Sequence, residues 1–234
     1  MSASDDLPPP GPRPPCTFSS FVPLPFNKAA LDAALRWSLR TKDAGAPLLL
    51  VGPSGTGKTH LARAALSARC AVYDLRSTMM ESAADIVNRF ASAVRECQIW
   101  SFMAAMTDAQ RCTVVEHLED LARKTQTRKN LFEMLEPASQ GAGLLLTLTT
   151  ARSSRAPAAI LSEVATTFPH AFIVRLRRPT RSERRRLSLE LDASTAEISM
   201  QVRSYDADAG CTTQQRSLPL HPSWRDRSTV RRRL

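Results

Sequence analysis

No apolar run in this chain approaches the ~18 residues that a membrane-spanning helix requires. The five cysteines (Cys16, Cys70, Cys97, Cys112, Cys211) are odd in number and scattered. No Cys-x-x-Cys occurs, and the four histidines do not gather around the cysteines. That pattern disfavours both a disulfide framework and a structural zinc site. No internal repeat occurs, which sets aside solenoids and propellers. The opening stretch "MSASDDLPPPGPRPPC" is acidic and Pro-rich where a secretory signal would be basic and then apolar. The expected location is therefore the cytoplasm, with thiols reduced. What the chain does have is positive charge: 32 Lys+Arg against 22 Asp+Glu, a formal +10. Such an excess favours an anionic partner such as nucleic acid without naming it.

At 234 residues the chain can bury a full core. Residues 1–16 carry six prolines and almost nothing to pack, and read as a disordered lead. From 17 to 191 helix-like and strand-like segments alternate. "NKAALDAALRWSLR" has helical spacing, "PLLLV" at 47–51 reads as a buried strand, and "THLARAALSAR" as a helix. "AVYDL" at 71–75 reads as a second strand and "ESAADIVNRFASAVREC" as a helix. "CTVV", helical "TRKNLFEMLEPA", and the strands "GLLLTLTT" at 143–150 and "AFIVRL" at 171–176 come next. Alternation of this kind predicts an α/β fold, a parallel sheet covered on both faces. Residues 192–234 have few core residues and form a basic, poorly structured tail in this reading.

The strongest chemical signal lies at 52–59, "GPSGTGKT", which fits G-x-x-x-x-G-K-[ST] between a predicted strand and a predicted helix. Gly52, Gly55 and Gly57 let the backbone N–H groups of Pro53's successors, Ser54 and Thr56 among them, curl around an anion. The helix after the loop turns its positive end toward it. Lys58 would reach the β/γ-phosphates and the Thr59 hydroxyl would hold Mg²⁺. Guanine recognition usually adds Asn-Lys-x-Asp. The nearest match, "NKAA" at 27–30, lacks the acid, so ATP is the expected nucleotide.

"CTFSSFVPLPFNKAALDAA", "GPSGTGKTHLARAA" and "VVEHLEDLARKTQTRKNLFEML", in that order, resemble the ATPase domain of the bacterial replication initiator DnaA and its Hda-like relatives. These are AAA+ P-loop NTPases of three-layer fold, and the resemblance spans about 17–190. It implies that the lead-in carrying Phe18, Phe21, Val22 and Asn27 covers the adenine. Val22 and Pro23 become base contacts, although core packing accounts for the aromatics equally well. Leu24 stands where the family usually has glycine. Aligned on the family pattern, Glu116 and His117 occupy the places of two acids, one for Mg²⁺ and one for the attacking water. Glu119-Asp120 is the alternative pair, with a poorer fit to the apolar strand. Thr149 matches the polar residue that watches the γ-phosphate, or is simply a strand-end threonine. Thr167 stands where the family has an arginine that reaches a neighbouring subunit's ATP. The helical lid is reduced or absent, with Arg203 as the one substitute for its sensing arginine.

"RLRRPTRSERRR" at 175–186 holds seven arginines and one acid. Arg177, Arg178, Arg181, Arg184, Arg185 and Arg186 are the expected DNA contacts, set against an ordinary solvated helix face. In the tail, "RDRSTV" at 225–230 resembles the Arg-Asp-His-Ser-Thr-Val signature of DnaA's DNA-binding domain, here by coincidence or as a degenerate remnant. The expectation is an ATP- and Mg²⁺-binding protein, at most a slow ATPase, that acts with DNA in replication initiation or its control. Self-association or association with a DnaA-like ATPase accompanies that reading. An IstB- or DnaC-type helper ATPase and an adaptor acting through protein contacts alone are the alternatives.

Overall fold

The computed structural model describes residues 16–39, 46–73, 75, 77–150 and 156–191. The proline-rich lead up to residue 15, the tail from 192, Arg203, the lid and the "RDRSTV" stretch lie outside them. The chain divides into two compact units, Met1–Glu190 and Leu191–Leu234. The first unit holds the sheet and the helices packed on it.

The elements run α1 (Lys28–Ser38), β1 (Leu48–Gly52), α2 (Lys58–Tyr73), β2 (Thr78–Ser82), α3 (Ala83–Arg95), α4 (Ile99–Met106) and β3 (Cys112–Glu116). A 3-10 turn (Leu118–Leu121), α5 (Thr125–Gln140), β4 (Leu144–Thr149), α6 (Ala156–Thr167) and β5 (Phe172–Arg175) complete them. A further helical stretch, α7, covers 181–191. The five strands form one sheet in the order β2-β3-β4-β1-β5, and every pair is parallel.

Period-two alternation sorts the central strand between two cores. Leu49 and Val51 pack with Ile86, Phe102, Leu118, Leu131, Phe132 and Val164 on the face covered by α3 to α6. Leu48 and Leu50 pack with Ala34, Trp37, Leu61 and Ala65 on the face covered by α1 and α2. All five residues of β1 are buried, as a strand covered on both faces should be. The helix after β1 thus lies on one face and those after β3 and β4 lie on the other. In such sheets the crevice between oppositely connected strands, here β1 and β4, is where ligands bind.

One expected strand is misplaced. α2 runs on through Ala71, Val72 and Tyr73, and the strand is Thr78–Ser82. The Ala-rich run "ARAALSARCA" keeps the backbone helical. Val72 is 52% exposed, so its β-branched side chain has no sheet core to enter. Tyr73 donates its hydroxyl to Leu39 O instead (2.8 Å). Helices α4 and α6 add to the expected set.

Two buried arginines tie the layers together. Arg69 of α2 donates to Ala142 O (2.6 Å) and Trp37 O (2.7 Å). Arg128 of α5 is 1% exposed and donates to both carboxylate oxygens of Glu163 in α6 (2.6 Å each) and to Leu121 O (2.7 Å). These hydrogen bonds hold the Glu163 carboxyl below its ordinary pKa.

Arg128→Met is expected to lower the urea-unfolding free energy by about 2–3 kcal/mol, because the carbonyls of Leu121 and Ala122 and the Glu163 carboxylate lose a buried donor. In the parent, Glu163 contributes stability that is present at neutral pH and lost as pH falls through its lowered folded value. The acid limb of a stability–pH curve is therefore expected to flatten in the variant.

Candidate functional site

β1 ends in Gly52, and α2 begins at Lys58. Pro53 to Gly57 form the turn between them at the crevice end of the sheet. Gly57 holds φ at +90°, and a Cβ there would sit 2.8 Å from Phe21 Cε2. Backbone conformation and close approach both demand glycine. Thr56 is 2% exposed and donates to Pro53 O (2.8 Å). Ser54 and Gly55 are exposed at the loop tip, and Thr59 is half-buried in the first turn of α2.

Lys58 is 7% exposed, and its ammonium donates to Gly52 O (2.8 Å) and Pro53 O (2.9 Å). Burial pushes its pKa below the ordinary value, while Glu119 and then Glu116 pull it back up. Glu119 and Glu116 are thus the acids whose charge reaches the lysine. Glu116 is the last residue of β3 and is buried, and its Oε1 is a buried oxygen with no hydrogen-bond partner. Such an oxygen suits a cation or an ordered water. That oxygen and the Thr59 hydroxyl are the groups that would hold a hydrated Mg²⁺. Among the described residues no cluster of three or more His, Cys, Asp or Glu could hold a metal by itself.

The chain turns sharply after β3. His117 takes a left-handed conformation (φ 57°, ψ 48°), and its N–H donates to Thr147 Oγ1 (3.2 Å). The 3-10 turn after it is pinned by Leu118 and Leu121, each 0% exposed. Asp120 faces solvent, whereas Glu119 is half-buried and turns toward the strand ends. Its Oε2 accepts from Thr149 N (2.7 Å), and its Oε1 lies 3.1 Å from His117 Nδ1. Burial opposes ionisation of Glu119, but hydrogen bonds from Thr149 and His117 outweigh it and hold the pKa below its ordinary value. The two acidic registers weighed from sequence therefore divide. Glu116 ends the strand, Glu119 joins the site from the next turn, and Asp120 stays outside. A carboxylate three residues beyond Glu116 was the only sequence signal for Glu119.

The lead-in lies against the loop. Phe21 is buried and meets His60 edge-on (centroids 5.3 Å apart). His60 Nε2 approaches Thr17 O (2.8 Å). Asn27, 3% exposed, accepts from Leu24 N (2.7 Å) and donates to Val22 O (3.1 Å). It fixes the loop on which Val22 is half-buried and Pro23 exposed. Leu24 is 2% exposed, so it is a core residue.

The arginine segment is divided between structure and solvent. Arg177 grips both oxygens of Glu183 (2.7 and 2.5 Å), and Glu183 in turn accepts from Thr180 N (2.8 Å). Glu183 N donates to Thr180 Oγ1 (3.3 Å), which completes a capping box at the start of α7. The Arg177 hydrogen bonds lower the Glu183 pKa to about 2. Arg186 pairs with Glu190 (2.9 Å). Arg178, Arg181, Arg184 and Arg185 are exposed, and 181, 184 and 185 share one helix face by their spacing. Thr167 is the last residue of α6.

Gly57→Ala is expected to destabilise the fold by about 1–3 kcal/mol, the cost of a left-handed non-glycine residue plus a clash with a buried ring. Adding Phe21→Ala should relieve the clash, so the double variant should lose less than the sum of the two single changes. Strict additivity in a double-mutant cycle would mean that the ring does not set the glycine requirement.

Known proteins resemble this chain in sequence and in fold. The family model of the bacterial DnaA ATPase domain matches residues 13–173, well over half of the chain. The chromosomal replication initiator protein DnaA of Cutibacterium acnes is 30% identical over 120 residues, 51% of this chain and 24% of that protein. The matched stretch thus spans about a quarter of that relative's length. Domain III of the Thermotoga maritima replication initiation protein DnaA superposes with a TM-score of 0.66 at 19% identity, over 80% of this chain and 76% of that one. A replication initiator DnaA bound to AMPPCP and single-stranded DNA gives 0.59 at 16% identity, over 71% and 51% of the two chains. At these identities the structures speak for the fold, which is that of the AAA+ P-loop ATPases. The family match carries the remaining step: the chain belongs to the bacterial DnaA ATPase-domain family.

Proposed function

We propose that the chain binds ATP with Mg²⁺, turns it over slowly, and acts with DNA in the initiation of chromosomal replication or its control. The observation that carries this reading is the convergence of Lys58, Glu116, Glu119 and Thr149 on one loop at the β1–β4 crevice. Residues 52–59 would wrap the phosphates with backbone N–H groups and the start of α2. Lys58 would leave the carbonyls of Gly52 and Pro53 for the β/γ-phosphates. Thr59 would bind Mg²⁺ directly, and Glu116 would do so through water. Val22, on the loop that Asn27 braces, would meet the adenine. The relative with AMPPCP and single-stranded DNA in its name supports both ligand classes. Such a role is exercised in the cytoplasm.

Slow turnover is expected from two substitutions. His117 stands where an acid is usual, and Thr167 ends α6 where an arginine would reach a neighbouring subunit. Loss of such an arginine costs on the order of 10³–10⁵ in rate. If the chain assembles on a DnaA-like ATPase, it receives help from its neighbour more readily than it gives it. DNA contact is assigned to the exposed face of Arg181, Arg184 and Arg185, with Arg178 beside it. Arg177 and Arg186 serve mainly through their carboxylate partners.

Lys58→Ala is expected to abolish or strongly weaken binding of fluorescent ATP. Unchanged affinity would reduce the loop to a structural turn. Replacing Arg181, Arg184 and Arg185 together with alanine is expected to weaken DNA binding to a similar degree across sequences. The slope of log K against log salt should flatten by about 0.9 per lost duplex phosphate contact. A slope equal to the parent's would assign the contact to other residues.

A further inference from the structure

The ATPase reading leaves one carboxylate without a task. Glu119 lies outside the pair of positions at which the family resemblance expects acids, yet it is the acid that acts most on Lys58, ahead of Glu116. Both of its oxygens are committed, one to Thr149 N and the other to His117 Nδ1. Leu118 and Leu121, fully buried on either side of it, leave the 3-10 turn little freedom to carry it elsewhere.

These contacts determine the histidine's polarity. An ionised carboxylate can only accept hydrogen bonds. The atom facing Glu119 Oε1 must therefore be Nδ1–H, and a neutral His117 then has its lone pair on Nε2. The tautomer of a histidine is set in this way by the bond that its other nitrogen makes. The His117 side chain is 48% exposed, so solvent reaches the imidazole. On the other arm, Glu119 fixes the N–H at the end of β4, on the residue that matches the γ-phosphate-sensing position.

We infer that Glu119 is a positioning residue of the hydrolytic site: it orients His117 so that Nε2 accepts a hydrogen bond from the attacking water, and it holds Thr149 in register with that water. The role rests on the ATPase reading above and deepens it. An acid at position 117 would have oriented water by itself, and here the work is divided between an imidazole and the carboxylate behind it. His117 supplies the acceptor atom, while Glu119 supplies the negative charge and the orientation. The left-handed backbone at 117 and the 3-10 turn after it bring the two side chains together at a separation of two residues.

Glu119→Gln tests this with little change of shape. The amide oxygen can still accept from Thr149 N, which leaves the NH₂ facing His117. Nδ1 must then become the acceptor, and the proton moves to Nε2, which presents a donor where the water needs an acceptor. At saturating ATP, kcat is expected to fall on the order of 10²-fold, the cost of misplacing a reacting group. In the ¹⁵N spectrum of histidine-labelled protein, the pyridine-type signal of His117, assigned by its loss in His117→Asn, should pass from Nε2 to Nδ1. Glu119→Asp keeps the charge, so it should retain the parent tautomer and recover part of the rate. It also serves as the second variant if the amide fails to fold. ATP binding with an unchanged kcat in Glu119→Gln, or an unchanged tautomer, overturns the role of Glu119 alone. A parent that binds fluorescent ATP without measurable turnover overturns it too. A parent that binds no fluorescent ATP overturns the nucleotide reading, and this role with it.

Discussion

A lysine ammonium held 7% exposed at the end of a fully buried strand is the constraint around which this domain is arranged. Burial favours the neutral amine, and the fold counters it with two backbone carbonyls and two carboxylates. The carbonyls of Gly52 and Pro53 can face the ammonium only because the chain turns tightly there, and that turn needs glycines at 55 and 57. The carboxylates arrive on different elements, Glu116 at the end of β3 and Glu119 from the turn beyond it. Their common direction requires β3, β4 and β1 to be parallel neighbours with their ends aligned. Strand order, loop shape and site charge are therefore one condition seen at three scales.

The cost of that arrangement is borne by the packing beneath it. Arg128 ties α5 and α6 to the carbonyl of Leu121, so it anchors the turn that carries Glu119. Phe21 and His60 brace the loop from the opposite face, and Asn27 braces Phe21's own loop. None of the hydrogen bonds these residues make is to Lys58, Glu116 or Glu119. Each removes a freedom that would let those groups relax away from Lys58. A rigid support of this kind is what electrostatic stabilisation of a reacting phosphate demands.

The parts of the structure legible in the sequence were those in which one local rule dominates. β1 is five residues of leucine and valine closed by glycine, and a loop motif of fixed spacing comes directly after it. The place of β2 was not legible, because helix propensity in an alanine-rich run competed with a β-branched and aromatic pair. The exposure of Val72 shows that tertiary burial settled the contest. Glu119 was hard to see for another reason. Its position in the site depends on a left-handed residue and a 3-10 turn, which have no period for a pattern to detect. His117 in the left-handed region is the single backbone choice that separates the two acidic registers weighed from sequence. With that choice the first acid ends a strand, the fourth residue returns to the site, and the fifth points to water.

The arginine segment shows why a charge count overstates an interface. Of the seven arginines in 175–186, Arg177 is committed to Glu183 and Arg186 to Glu190. The Arg177–Glu183 pair does more than cancel charge. Glu183 also accepts from Thr180 N and so closes the first turn of α7. That turn fixes where the helix starts, and so the direction in which the face shared by spacing points. One ion pair on the surface thus contributes little stability on its own, yet it fixes the pattern in which Arg181, Arg184 and Arg185 are presented. A phosphate backbone that met that face, as proposed, would encounter an ordered row of cations rather than a diffuse cloud. The single acid within the basic run is what orders them.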